Sequence, residues 1–238
     1  MDSQSFDDVR FERMILAREL VIRNGECLRR SVVSSRNGHS RLAYKGIKDI
    51  ETMLTKLQTE TMAHVKQTAI LARRIAWAMN LSEQAVDTIS LGALLHDVGK
   101  SFIPTDILNT PGSLSDDDWV IVKQHPEIGY QMLREIPGLE EVARIVCHHH
   151  ERYDGDGYPV GLAAEEIPLG ARILSVADAF EAMRSQRPHS PTLTLDHAGA
   201  ELRWHAGQQF DPVVVDVFLD QVFPQVVALD VQKNILGL

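Results

Sequence analysis

The chain has 238 residues, of which 44% are hydrophobic, and it carries a formal net charge of −9 at pH 7. This length allows one substantial core, while the negative charge disfavours binding to long nucleic acids and to anionic membranes. Cys27 and Cys147 are too few for a disulfide framework and favour a reducing compartment. Because the apolar runs are short and the N-terminus lacks an apolar signal region, we expect a cytoplasmic protein.

Apolar residues recur at helical spacing, so the sequence predicts an all-α fold. The polar segment 34–40 is typical of a linker and separates a short N-terminal helical extension, residues 1–45, from one domain over residues 46–238. Ser82 and Ser115 are expected to cap helices, because acidic residues follow each of them in the first turn. The predicted helices, in chain order, cover residues 6–24, 47–79, 83–97, 117–134, 139–150, 170–185, 195–206 and 212–221.

Two candidate sites lie in the first half of the domain. Glu60 and His64 stand at i and i+4 and so share one helix face, although a surface glutamate beside a half-buried histidine would give the same pattern. The apolar run in "LGALLHDVGK" leads directly into His96 and Asp97. A buried carboxylate is costly unless a cation or hydrogen bonds compensate it, but a core histidine next to an aspartate is the simpler alternative for an isolated pair.

Three further segments carry the same residue types. His125 precedes a proline, at a predicted helix start or kink. In "CHHHERYDGDGYP", His149 and His150 would point about 100° apart on a helix and so could serve two adjacent ions. Asp178 lies in the middle of an apolar helix face, where it needs a partner, for which a hydrogen bond to a neighbouring helix would suffice.

The turn "DGDGYP" is not a calcium loop, because tyrosine and proline occupy the places where an EF-hand needs an oxygen ligand and a glycine. We interpret it as a rigid turn with two glycines free in φ and a proline at its exit. Taken together, the histidines and carboxylates predict a metal site between helices. Nitrogen and oxygen ligands without thiolate suit iron, manganese or zinc, and more than six ligands require at least two ions.

Over residues 57–219 the chain resembles the HD-GYP subgroup of the HD-domain phosphohydrolases. The resemblance rests on "HDVGKSFIP", "HPEIGYQML", "HHERYDGDGYPVGL" and "IPLGARILSVADAFEAM", which occur in the order and at the spacing of that family. It implies an HD-domain helical bundle with a Gly-Tyr-Pro extension. It also implies a bacterial signalling phosphodiesterase that opens cyclic di-GMP to pGpG and in some members on to GMP, using a hydroxide that bridges two metal ions.

The resemblance also implies roles for individual residues. Asp97 would bridge two ions and, with Lys100 at the scissile phosphate, carry the catalysis. Tyr158 and Arg187 would contact the substrate. Glu60 matches a residue that binds a third ion in some relatives. His148 matches no residue with a known role in the family. The implied metal ligands are Glu60, His64, His96, Asp97, His125, His149, His150 and Asp178. The implied cofactors are two or three divalent ions, iron first and manganese as the alternative.

Some positions depart from the family pattern. His189 and Ser190 stand where relatives have an aromatic residue and a cation, and Thr110 stands where they have lysine, which leaves nucleotide preference open. The alternatives are a hydrolase of 3′,3′-cyclic GMP-AMP, a non-catalytic nucleotide sensor and a diiron oxygenase, the last disfavoured by Lys100 and the Gly-Tyr-Pro turn. The expected partner is a cyclic dinucleotide, with no long nucleic acid and no membrane, and a homodimer stays open.

Overall fold

Helices form nearly all the regular structure of residues 59–110, 112–185 and 192–236, the part of the chain that the computed structural model describes. Within these ranges there is no strand, and one isolated bridge joins Ala206 to Phe210. The predicted all-α class is therefore confirmed. The helices are α1 (Thr59–Ala78), α2 (Glu83–Leu95), α3 (Thr105–Leu108), α4 (Asp116–Val122), α5 (His125–Leu133), α6 (Glu140–His148), α7 (Leu169–Arg184), α8 (Leu195–Trp204), α9 (Pro212–Val217) and α10 (Phe223–Leu236).

The helix starts follow the predicted capping signals. The Ser82 hydroxyl accepts a hydrogen bond from the Ala85 amide, and the Ser115 hydroxyl accepts one from the Asp118 amide. Each serine thus satisfies one of the amide groups that have no partner inside the helix. The predicted helix 6–24, the linker 34–40 and the start of helix 47–79 lie outside the described residues.

Two predicted helices differ from the structure. Residues 117–134 form two helices rather than one, because α4 ends at Val122 and α5 begins at His125 with Pro126 in its first turn. A proline is tolerated there but would break a continuous helix. The last predicted helix, 212–221, is too short: α9 passes through a π turn, Phe218–Val222, and the chain continues as α10.

The core is built around α1, which packs against α2 and α7. Each of these three helices contributes buried side chains to the core, for example Ile75 on α1, Leu94 on α2 and Leu174 on α7. The C-terminal segment adds Phe218 to the same core. In the same bundle, α6 packs against α2 and α5. The helices that carry or adjoin the candidate ligands are therefore packed against one another.

The 19-residue segment Pro212–Asp230 is long and apolar enough to cross a membrane by length and composition, with a mean hydropathy of 1.5 in its 18-residue window. It is the one such helical segment among the described residues. Val214, Val215, Phe218 and Val222 on this segment are buried against the rest of the bundle. Buried residues make up 22% of the 18-residue window.

Candidate metal centre

The His-Asp pair lies where α2 ends. His96 follows the last residue of α2, and Asp97 precedes a 3₁₀ turn, Val98–Phe102. Gly99 in this turn rests directly on the start of α5, since a Cβ at Gly99 would lie 2.0 Å from the His125 carbonyl oxygen. Only glycine allows this approach, and it places Asp97 beside His125.

Three candidate ligands from separate helices form a first group: His64 on α1, His96 after α2 and Asp178 on α7. The Asp178 Oδ1 atom lies 2.9 Å from His64 Nε2 and 3.6 Å from His96 Nε2. The mid-helix aspartate thus faces two imidazoles, as a metal ligand of this group would.

His125, His149 and His150 form a second group, whose ligand atoms all lie within 4.8 Å of one another. The Nε2 atoms of His125 and His149 are 3.4 Å apart. The sequence indicated that His149 and His150 could serve two adjacent ions, and the structure brings the ligand atoms of both into this one group. Both residues lie in the turn that follows α6, which ends at His148.

Asp97 stands between the two groups. Its Oδ2 atom lies 3.4 Å from His96 Nε2, and its Oδ1 atom lies 3.5 Å from His125 Nε2. Oδ1 is buried and accepts no hydrogen bond from any described residue. Since an unsatisfied buried carboxylate oxygen is costly, a cation on each side of Asp97 fits this arrangement.

Three of the imidazoles are oriented by backbone carbonyl groups, a feature that the sequence analysis did not identify. His96 Nδ1 lies 2.7 Å from the Ala93 carbonyl oxygen, and His125 and His149 make the equivalent contacts at 2.8 and 2.7 Å. In each case the carbonyl belongs to the residue three positions earlier. A donor Nδ1–H leaves Nε2 with its lone pair, which is the tautomer that a metal ligand at Nε2 requires.

Burial determines the charge of the imidazoles. It lowers the pKa of His125 to about 4 and that of His150 to about 3, and it holds the pKa of His149 well below its usual value. These side chains are therefore neutral near pH 7. A neutral imidazole can bind a metal ion without first losing a proton.

The two aspartates stay ionised. Burial alone would raise the pKa of Asp97, but the electrostatic interactions with His96, Lys100 and His125 together with a hydrogen bond from Lys100 hold it well below its usual value. For Asp178 burial also acts to raise the pKa, but the hydrogen bond from His64 and the electrostatic interactions with His96 and His64 together outweigh it and lower the pKa. The centre thus presents two carboxylates together with the neutral imidazoles of His125, His149 and His150, which is the ligand state that divalent ions need.

Three side chains line the open face of this centre. Lys100 Nζ lies 2.8 Å from Asp97 Oδ2, and the Tyr158 ring stacks on the His150 ring with centroids 4.9 Å apart. Lys123 Nζ lies 5.5 Å from the centroid of the Tyr158 ring, a contact that the sequence analysis missed. Two predicted site residues are not placed: Arg187 lies outside the described residues, and of Glu60 only the backbone, in α1, is described.

The Gly-Tyr-Pro turn differs in detail from its prediction. Gly155 adopts a left-handed φ of +86°, as expected, but Gly157 has no positive φ. A Cβ at Gly157 would instead lie 2.3 Å from the Arg152 amide nitrogen and 2.5 Å from the Glu151 Cα. Gly157 is therefore required for close packing of the turn on the segment after His150.

Comparison with known proteins finds one family model and several relatives that match this chain. A family model described as HD domain matches residues 48–214. The cyclic di-GMP phosphodiesterase response regulator RpfG of Xanthomonas campestris is 44% identical over 161 residues, which are 67% of this chain and 43% of that protein. The 3′3′-cGAMP-specific phosphodiesterase 2 of Vibrio cholerae is 38% identical over 68% of this chain and 31% of its own length.

A solved structure shares the fold. Bd1817, an HDG"Y"P protein from Bdellovibrio bacteriovorus, superposes with a TM-score of 0.56 at 24% identity, over 68% of this chain and 52% of that one. The chain spans less than half the length of the two curated relatives above. The family-model match covers most of the chain and includes every described candidate ligand. The chain therefore belongs to the HD domain family, and it shares the fold of an HDG"Y"P protein.

Proposed function

We propose that this protein is a metal-dependent phosphodiesterase that hydrolyses cyclic di-GMP to pGpG and then, more slowly, to GMP. One observation carries the proposal: the two oxygens of Asp97 face two separate ligand groups, and Oδ1 is buried with no hydrogen-bond donor among the described residues. A carboxylate in this position fits a bridge between two divalent ions. The phosphodiesterases among the relatives support the reaction class.

The ligand sets divide evenly. His64, His96 and Asp178 with one oxygen of Asp97 would hold one ion, and His125, His149 and His150 with the other oxygen would hold the second. When bound, the ions supply a water of lowered pKa and positive charge toward the phosphate. In the net reaction, one water adds to phosphorus, the bond from phosphorus to one 3′ oxygen breaks, and that oxygen takes up a proton.

The side chains at the open face suit a dianionic substrate. Lys100 Nζ lies next to the bridging carboxylate and is placed to neutralise charge that develops on the phosphate. Burial raises the pKa of Tyr158, so its hydroxyl stays protonated and can donate a hydrogen bond. Lys123 adds a second cation over the Tyr158 ring.

The metals are proposed to be iron, with manganese as the alternative, because ligands of mixed nitrogen and oxygen suit both. Glu60 is proposed to bind a third ion, since it precedes His64 by one turn on α1. Elemental analysis of protein purified without oxygen tests both points. A Glu60→Ala variant that keeps the full metal content of the wild type would exclude the third site.

The second candidate substrate is 3′,3′-cyclic GMP-AMP. A relative that is named as a 3′3′-cGAMP-specific phosphodiesterase supports it, and His189 and Ser190, which replace an aromatic residue and a cation of the family pattern, leave the nucleotide preference open. One experiment separates the candidates: turnover of cyclic di-GMP, of 3′,3′-cyclic GMP-AMP and of bis(p-nitrophenyl) phosphate by the same metal-loaded preparation. We expect the highest kcat/KM for cyclic di-GMP. Cleavage of the small diester alone would refute both cyclic dinucleotides, and no turnover with metals bound would indicate a sensor.

We propose a cytoplasmic location as well, since two cysteines are too few for a disulfide framework and favour a reducing compartment. Fractionation of cells that express the protein tests this. Recovery in the membrane fraction after a salt wash would contradict it and would direct attention to Pro212–Asp230.

A further inference from the structure

One buried carboxylate of the Gly-Tyr-Pro region has no role in the proposed metal set. The side chain of Glu151 is 0% exposed, and among the described residues no lysine or arginine pairs with it. Burying an ionised carboxylate is costly without hydrogen-bond donors. The groups that donate hydrogen bonds to Glu151 therefore show which part of the chain its side chain holds in place.

Two of the donors are backbone amides of the same loop. The Val160 amide donates to Glu151 Oε1 at 2.9 Å, and the Gly161 amide donates to Oε2 at 3.0 Å. The Glu151 carboxylate therefore closes the loop 151–161 on itself. Hydrogen bonds from backbone amides to a charged acceptor are among the stronger ones in proteins.

The third contact involves the histidine that has no family role. His148 Nδ1 lies 3.5 Å from Glu151 Oε1, and His148 is the last residue of α6. This contact links the carboxylate to the helix that leads into His149 and His150. His148 thus supports the loop from the side of the metal centre.

The loop presents Tyr158 to the metal centre. The Tyr158 amide donates to the His150 carbonyl oxygen at 3.2 Å, and the Tyr158 ring stacks on the His150 ring. The start of the loop is fixed separately, since the Tyr153 and Asp154 amides donate to the Gln209 and Gln208 carbonyl oxygens. Glu151 fixes the end of the loop, because it binds the amides of Val160 and Gly161, which lie two and three residues after Tyr158.

We propose that Glu151 is a positioning residue: its buried carboxylate, bound by the amides of Val160 and Gly161, holds Tyr158 against His150, and His148 supports that carboxylate. The proposal rests on the proposed function for its kinetic part only. The geometry predicts that substrate positioning depends on Glu151, whereas metal binding does not.

The main test compares Glu151→Gln with a matched control, Glu166→Gln. Glu166 also accepts a hydrogen bond from a backbone amide of this region, that of Ala163 at 3.2 Å, but it is exposed.

Glutamine at position 151 keeps the shape of the side chain but turns an NH₂ group toward one of the two amides. We expect kcat/KM for cyclic di-GMP to fall about 10- to 100-fold, as for loss of a hydrogen bond to a charged group, mainly through KM, with the metal content unchanged. Glu166→Gln should change it less than about twofold, since exposed polar contacts contribute little.

A double-mutant cycle tests the route through Tyr158. In a Tyr158→Ala background, Glu151→Gln should have almost no further effect, because the side chain that it positions is gone. Additive losses would overturn the proposal. His148→Gln should shift KM in the same direction by a smaller factor and provides a milder variant if Glu151→Gln does not fold.

Amide hydrogen exchange gives a readout that needs no substrate. Glu151→Gln should speed exchange at Tyr158, Val160 and Gly161, whereas Glu166→Gln should not. Slow exchange at these amides in Glu151→Gln would overturn the proposal even if the protein cleaved no cyclic dinucleotide. Fast exchange without any turnover by the wild type would instead refute the proposed function alone.

Discussion

The metal-ligand cluster and the Gly-Tyr-Pro loop lie side by side, yet they are held in different ways. The cluster is assembled from the ends and faces of α1, α2, α5, α6 and α7, and backbone carbonyls orient three of its imidazoles. The loop has no regular structure around Tyr158 and depends on one buried carboxylate and on close backbone packing at Gly157. We therefore expect that mutations can disrupt metal binding and substrate positioning separately.

The largest effect is expected for Asp97→Ala, which removes the carboxylate shared by both ligand groups. Bound metal should be lost, and turnover of cyclic di-GMP should fall by at least about 1,000-fold, because metal ions contribute several kcal/mol to such reactions. Asp196→Ala, at an exposed aspartate of α8, is the control. Metal content equal to that of the wild type in Asp97→Ala would contradict the bridging role.

Two glycine substitutions compare the regions directly. Gly99→Ala places a Cβ 2.0 Å from the His125 carbonyl oxygen, so the turn that carries Asp97 must move away from α5. We expect a lower metal content and a loss of about 1–3 kcal/mol in the free energy of unfolding, as for an overpacked core. Elemental analysis and denaturant unfolding measure the two effects.

Gly157→Ala should give the opposite pattern. Its Cβ would meet the backbone of Glu151 and Arg152, so the loop must shift, while the ligand groups keep their helix-based supports. We expect full metal content and about a tenfold or greater loss of kcat/KM for cyclic di-GMP. If Gly157→Ala loses metal as readily as Gly99→Ala, the two regions are one unit and the comparison fails.

The metal-ligand cluster and the loop also differ in how much of each could be predicted from the sequence. His96, Asp97 and Asp178 were identifiable because polar residues interrupt apolar helical runs, and His125 because a proline follows it. The carbonyl contacts of the imidazoles were not predicted, since any histidine at a helix end has a carbonyl three residues earlier. Only the packed neighbours decide whether its ring turns that way.

The loop contacts were beyond the sequence for a different reason. Glu151 meets Val160 and Gly161 only after the turn closes, and local patterns of apolar residues carry no information on such a closure. Lys123 was missed because residues 117–134 were predicted as one helix. The break before His125 places Lys123 over Tyr158.

The pH dependence of metal-free protein tests the buried imidazoles. The pKa values of His125, His149 and His150 are lowered in the folded protein by burial, so the unfolded chain binds more protons below about pH 6.5. After removal of metal by a chelator, the free energy of unfolding should fall as the pH falls from 6.5 toward 4. A His125→Gln variant should show a weaker fall over this range. Stability that stays level across it would contradict the neutral, buried state of the cluster.

The smallest effect is expected at the rim of the loop, for Lys123→Met. Lys123 is exposed, and its Nζ lies over the Tyr158 ring, whose other contacts are with His150. A cation there would attract a substrate phosphate, but screening by solvent limits the gain. We therefore expect KM for cyclic di-GMP to rise about 3- to 10-fold with kcat and metal content unchanged, and Lys123→Arg to restore most of the loss.

Because the interaction is electrostatic, the difference between wild type and Lys123→Met should shrink as the salt concentration rises. Arg203→Met, at an exposed cation of α8, is the matched control and should leave KM unchanged. A KM effect that does not depend on salt would show that Lys123 acts by packing against Tyr158 and not through its charge.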